Sequence, residues 1–194
     1  MGCRLATGLS EPLAMADRGH QNPDMALLTT HLFIVRHAVA EEAGPGIDDH
    51  GRRLTPRGSK RFARMIRRLC RLVASGLEID LVATSPLVRC RETAEILAGA
   101  CGGRPRIAVV DALAPSSNWQ GLVEWTVEQD AARVAWVGHA PCVGRLVALS
   151  IGDASAAVRM DKGAIAAVSL DDGLGQPGEL DWLVTPDLLG RRGC

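Results

Sequence analysis

Four side chains in this chain stand where short hydrophobic runs stop, and all four can bind an anion. "LFIV" is followed at once by Arg36 and His37, "LVAT" leads through "SPLV" to Arg89, and "RVAWVG" ends at His139. A guanidinium is a permanently charged planar fork that matches carboxylate or phosphate oxygens two at a time. An imidazole is neutral or charged near physiological pH and can act as nucleophile, acid, base or donor. Taken singly, each has a plainer reading: Arg89 or Arg91 as helix surface charge, His37 as a hydrogen-bonded strand end, His139 as a capping histidine. Brought to one edge of a sheet, two arginines and two histidines make an anion site.

Placing them there requires an α/β domain, and the pattern supports one. Val- and Ile-rich runs at 32–35, 81–84, 106–110 and 133–138 alternate with helical stretches, as expected of buried, largely parallel strands joined by helices. The helix after the first strand opens with Thr55 as N-cap and Pro56 at its first position. Phe62, Met65, Ile66, Leu69 and Val73 then recur at helical spacing and form its core stripe. Further helices are expected after Pro86, over 117–128 and after Pro141, and "AIAAVSLDDGLGQPGELDWLVTP" reads as a hairpin on the sheet edge. In such folds ligands bind beyond the carboxyl ends of the strands, which is where the four side chains fall.

With 194 residues the chain has room for one ordinary domain. We expect it to occupy residues 31–186, after a flexible extension over 1–30 and before a tail over 187–194. Met15 and Met25 are alternative starts, and the first 30 residues carry no apolar run of the secretory kind. Lys plus Arg balance Asp plus Glu at 22 each, so the overall field gives no reason to expect nucleic acid as a partner. No apolar stretch is long enough to cross a bilayer, and a cytoplasmic protein without membrane attachment is expected. Six cysteines, at 3, 70, 90, 101, 142 and 194, show no Cys-x-x-Cys pair or zinc-ligand spacing and read as free thiols. The first helix carries Arg57, Lys60, Arg61, Arg64, Arg67, Arg68 and Arg71, with no acidic residue between His50 and Leu77. That face is either merely solvated or meets an acidic or phosphorylated partner.

The segments "VRHAVA", "RRLTPRG", "SPLVRCRET" and "VGHAPCVG" stand in the order found in the histidine phosphatase superfamily, and the chain resembles it over about residues 31–186. The short tail is similar to that of the small SixA-type branch, the protein phosphohistidine phosphatases. The resemblance implies a phosphoglycerate mutase-like fold: a three-layer α/β/α sandwich whose mostly parallel central sheet has an antiparallel C-terminal edge. It also implies roles. Neutral His37 would attack phosphorus in line and carry the phosphoryl group as a phosphohistidine, splitting one hard displacement into two. Its other ring nitrogen would be held by a backbone carbonyl. Arg36 and Arg89 would grip the equatorial oxygens, and His139, as a cation or donor beside a helix N-terminus, would complete the cradle. Ser85 and Ala140 are counted with these as substrate-binding positions. Neither metal nor cofactor is expected.

Two departures from the family pattern are visible. Ala38 stands where the superfamily usually has glycine after the catalytic histidine. The larger members also use a carboxylate as general acid after the third strand, and here only Asp111 lies nearby, with Glu41 as the other candidate. An alcohol leaving group benefits from protonation by such an acid, whereas the imidazole of phosphohistidine leaves more readily. The expected substrate is therefore a phosphorylated protein, such as a histidine phosphotransfer domain, with inorganic phosphate as product and an open pocket to admit it. A small phosphate ester hydrolysed by the same residues, or a silent phosphate-binding module, are the alternatives.

Overall fold

The computed structural model describes residues 30–73, 77–102 and 104–190. The expected extension over 1–30 and the alternative starts at Met15 and Met25 lie almost wholly outside them. The elements follow in the order β1 (His31–Arg36), α1 (Pro56–Leu72), β2 (Leu81–Thr84), α2 (Val88–Ala100), β3 (Arg106–Val109), α3 (Trp119–Val127), β4 (Arg133–Gly138), α4 (Cys142–Ser150), β5 (Ile165–Ser169), β6 (Glu179–Val184) and α5 (Pro186–Gly190). A 3-10 turn at Asp111–Leu113 links β3 to α3.

One sheet holds all six strands in the order β3-β2-β4-β1-β5-β6. The pairs β2–β3, β2–β4 and β1–β4 are parallel, while β1–β5 and β5–β6 are antiparallel, as the C-terminal hairpin predicts. The α/β class with an antiparallel edge is as expected. Alternation along β1 divides the core: Phe33 and Val35 join the cluster on the face covered by α1 and α2, and Leu32 and Ile34 join the one under α3 and α4. At the centre of the second cluster, fully buried Trp136 donates its indole N–H to Thr126 Oγ1 at 3.1 Å.

Helix α1 is built as its sequence predicts. Thr55 Oγ1 accepts from Gly58 N at 3.0 Å, Pro56 occupies the first position, and Phe62, Met65, Ile66 and Leu69 are buried. Burial of each such side chain contributes about 1.5–3 kcal/mol. Gly58 allows the helix to seat: a Cβ there would stand 2.2 Å from the carbonyl oxygen of Val39.

One expectation needs correction. The run "RIAVV" reads as a buried strand, but β3 is the outermost strand, with Ile107 41% and Val109 55% exposed. At the C-terminal end of the described residues, α5 packs on α1 through an Arg61–Asp187 ion pair and an Arg68 guanidinium donating to the Leu189 carbonyl.

Candidate active site

Register puts the chemistry together. β1 and β4 lie side by side with Arg36 opposite Gly138, so the next residues, His37 and His139, leave the carboxyl edge as neighbours. Their ring centroids are 5.3 Å apart, tilted by 57°. On the other flank of β4, Thr84 of β2 stands opposite Val137, which brings Ser85 beside His139 with its Oγ 2.8 Å from Nε2.

His37 is held on three sides. Its N–H donates to Gly138 O and its carbonyl accepts from Gly163 N, each at 3.0 Å. Its ring Nδ1 donates to Ala38 O at 2.8 Å, which leaves the lone pair on Nε2. Burial pushes the imidazole down from 6.5 to about 3, with the nearby Arg89 and Arg36 cations and His139 adding to the fall and the Ala38 carbonyl opposing it. The ring is therefore neutral at pH 7 and aimed by a backbone carbonyl, as a nitrogen nucleophile must be. Ala38 costs nothing in backbone strain: among the described non-glycine residues only Arg104 and Asp130 have positive φ. Its N–H donates to Thr93 Oγ1 at 3.1 Å, and that hydroxyl donates to Arg89 O at 2.7 Å, which locks the turn after β1 to the first turn of α2.

The two guanidinium groups are anchored at their tips. Arg36 Nη1 donates to Met160 O at 2.8 Å. Arg89, 4% exposed, donates through Nη1 to Asp49 O at 2.6 Å and through Nη2 to Asp49 Oδ2 at 3.1 Å. The Nε–H of each is buried and meets no acceptor among the described residues. A buried donor without a partner costs roughly 1–3 kcal/mol, and an oxyanion would satisfy both.

Burial first, and then Arg89, push the His139 imidazole down from 6.5 to about 4, which favours the neutral ring at pH 7. Beneath it lies Cys90, whose sulfur is 3.4 Å from Nε2 and whose thiol is pushed up to about 12 by burial. This cysteine is a neutral packing group, not a nucleophile. Ala140 lies at the exposed rim, where a cleft of about 730 Å³ opens past Arg36 between Pro141, Arg145 and the 154–161 segment.

Among the described residues, neither candidate acid is hydrogen-bonded to Arg36, His37, Arg89 or His139. Glu41 Oε2 accepts from Arg53 N at 3.0 Å in the 41–54 loop. Asp111 is exposed, at the start of the 3-10 turn, and its carboxylate makes no hydrogen bond or ion pair among the described residues. The carboxylate that does reach the site, Asp49, is one that sequence reasoning missed. Hydrogen bonds from Arg52 foremost, and from Arg89, hold it below the usual carboxylate range, so it is a counter-charge rather than a proton donor. Arg52, Thr93 and Cys90 were missed as well; Asp49 and Arg52, three apart in a loop, carry the only local signal. Among the described residues no group of three or more His, Cys, Asp or Glu is placed to hold a metal ion.

The model of the histidine phosphatase superfamily (branch 1) matches residues 32–152. An uncharacterized protein of a Picosynechococcus species is 33% identical over 138 residues, covering 69% of this chain and 81% of its own. Among solved structures, the protein histidine phosphatase SixA complexed with tungstate superposes with a TM-score of 0.69 at 26% identity, over 81% of this chain and 97% of that one. A candidate phosphohistidine phosphatase SixA from Agrobacterium tumefaciens gives 0.66 at 20% identity, over 81% and 99%. The α-ribazole phosphatase of Shigella flexneri gives 0.58 at 17% identity, over 80% and 96%, a likeness of fold alone.

Proposed function

The chain belongs to the histidine phosphatase superfamily and is a phosphatase, and from that premise we propose that it removes phosphoryl groups from phosphohistidine on another protein. His37 Nε2 attacks phosphorus as the bond from phosphorus to the substrate imidazole breaks; that imidazole leaves as a neutral ring, having entered the step protonated. Water then attacks the phosphoryl group on His37, and orthophosphate departs as Nε2 regains its lone pair. Arg36 and Arg89 stabilise the charge spread over the equatorial oxygens, with Ser85 and His139 at the third side.

One observation carries the choice of substrate. A neutral, aimed His37 sits among two arginines whose Nε–H groups have no acceptor among the described residues, and neither Asp111 nor Glu41 is hydrogen-bonded to it or among the charges that shift it. A missing general acid weighs on alcohol leaving groups by about 10²–10⁴-fold, and weighs little on a protonated imidazole. The SixA likeness, at 26% identity, points the same way. The test compares kcat/KM for a phosphorylated histidine phosphotransfer domain, for free phosphohistidine and for a panel of sugar phosphates. We expect the phosphoramidates to be preferred by at least ~10²-fold. Sugar phosphates turned over as fast, with a bell-shaped pH profile, would refute this reading.

The cleft past Arg36 favours a second reading. Its volume of about 730 Å³ is that of a small-ligand site, so a small phosphomonoester with its organic part between α4 and the 154–161 segment is the alternative.

A further inference from the structure

The catalytic reading leaves the basic helix unexplained. On α1, Arg57, Lys60, Arg64, Arg67 and Arg71 are all exposed. Their intervals of three and four put them on one face, a line about 21 Å long at 1.5 Å per residue. Among the described residues none of the five makes an ion pair or side-chain hydrogen bond. Their flanking neighbours differ: Arg61 pairs with Asp187 and Arg68 donates to the Leu189 carbonyl, both on α5.

Like charges three and four apart on a helix repel, and a merely solvated face ordinarily mixes signs. Here a neutral chain, with 22 cationic and 22 acidic residues, concentrates unrelieved cations in one line. Two exposed leucines accompany it, Leu72 at the far end of the line and Leu188 on adjoining α5, each 67% exposed. The other face of α1 is sunk in the core and offers nothing to a lipid bilayer. A single line of charges at helical spacing, with apolar points beside it, matches another helix better than a nucleic acid, which calls for a broad basic field.

The line also starts at the active site. Thr55 N donates to the carbonyl of Val39, two residues past His37, at 2.9 Å, so the N-terminal end of α1 abuts the catalytic turn and the helix runs away from it. We propose that α1 is the docking surface for an acidic helix of the phosphoprotein substrate, which lies along the helix with its carboxylates three and four apart and one end at the mouth of the site. This inference rests on the phosphohistidine reading and adds to it the class of partner.

The test uses a designed helical peptide of about 20 residues, with glutamates along one face and a phosphohistidine at one end or the other, against a twin with glutamine at each glutamate. Binding of the fluorescent unphosphorylated peptides is read by anisotropy, and turnover of the phosphorylated ones by phosphate release. The full chain is compared with the triple variant Arg64→Glu, Arg67→Glu, Arg71→Glu, whose substitutions are exposed and remote from His37. Each exposed ion pair is worth roughly a factor of 1.5–5, so the acidic peptide should bind the wild type at least about tenfold more tightly than the glutamine twin or the variant does. That preference should fade as salt shortens the Debye length to ~3 Å near 1 M. The kcat/KM for the phosphorylated acidic peptide should fall in parallel in the variant, while turnover of free phosphohistidine is unchanged. Equal binding of the two peptides at low salt would overturn the proposal. So would retention of the wild type on phosphatidylserine vesicles without any peptide preference, since the line would then read a membrane. Preferential peptide binding with no phosphohistidine turnover would uphold the docking face and refute the assignment of the active site.

Discussion

Two buried neutral histidines should make this fold sensitive to mild acid. In the folded protein His37 titrates at about 3 and His139 at about 4, while both return toward 6.5 when the chain unfolds. Folded values below unfolded ones mean that the unfolded state takes up protons first, so stability is full above pH 6.5 and is lost as pH falls through the window down to pH 4 and then 3. Integrated to pH 4.5, each imidazole contributes about 2.5 kcal/mol of that loss, about 5 kcal/mol together, which is comparable with the whole stability of many domains. The shifted carboxylates Asp49, Asp80 and Asp153 all lie below an ordinary 3.8, so they add little above pH 4.5. Urea unfolding from pH 7.5 to 4.5 measures the slope directly. Replacing His37 with Gln, which cannot titrate, should remove about half of the fall whatever the substitution does to stability at pH 7.5. A flat wild-type profile, or a variant with the same slope, would refute the burial argument and with it the neutral nucleophile.

Three further outcomes follow from the site. Arg89→Lys should lower kcat/KM by roughly 10²-fold or more, because a point charge cannot hold both the Asp49 tether and an equatorial oxygen; steady-state kinetics checks it. Thr93→Val leaves the buried Ala38 N–H without its acceptor, so it should cost about 1–3 kcal/mol in urea unfolding and loosen the His37 turn. Gly144→Ala drives a Cβ to 2.2 Å from the Val158 carbonyl, so it should force α4 and the cleft wall apart and destabilise by about 1–3 kcal/mol, read as a fall in Tm.

Much of this was legible in residue types. The capped, amphipathic α1 and the β1 and β4 runs are local patterns, and Arg36, His37, Arg89 and His139 are visible because strand ends are where open α/β folds place ligands. The supporting shell was not. Asp49 meets Arg89 across 40 residues, Thr93 meets Ala38 across 55, and Cys90 meets His139 across 49, and no local period announces such pairs. The charge on His139 depends on burial, which the sequence shows only on average. β3 misled because "RIAVV" has the same pattern in an edge strand as in a central one. Asp111 is a candidate by its place after the third strand and Glu41 stands beside it as the other, and how either carboxylate is turned toward His37 depends on loop geometry that no local pattern announces.

The claim on which all else rests is that His37 carries the phosphoryl group. Rapid quenching into base, under which phosphohistidine survives, after mixing the protein with a ³²P-labelled histidine phosphotransfer domain measures it directly. Transient label on His37, rising before phosphate appears and absent in His37→Ala, is the predicted result. Phosphate released at the wild-type rate by His37→Ala, or with no label ever on the protein, would contradict it.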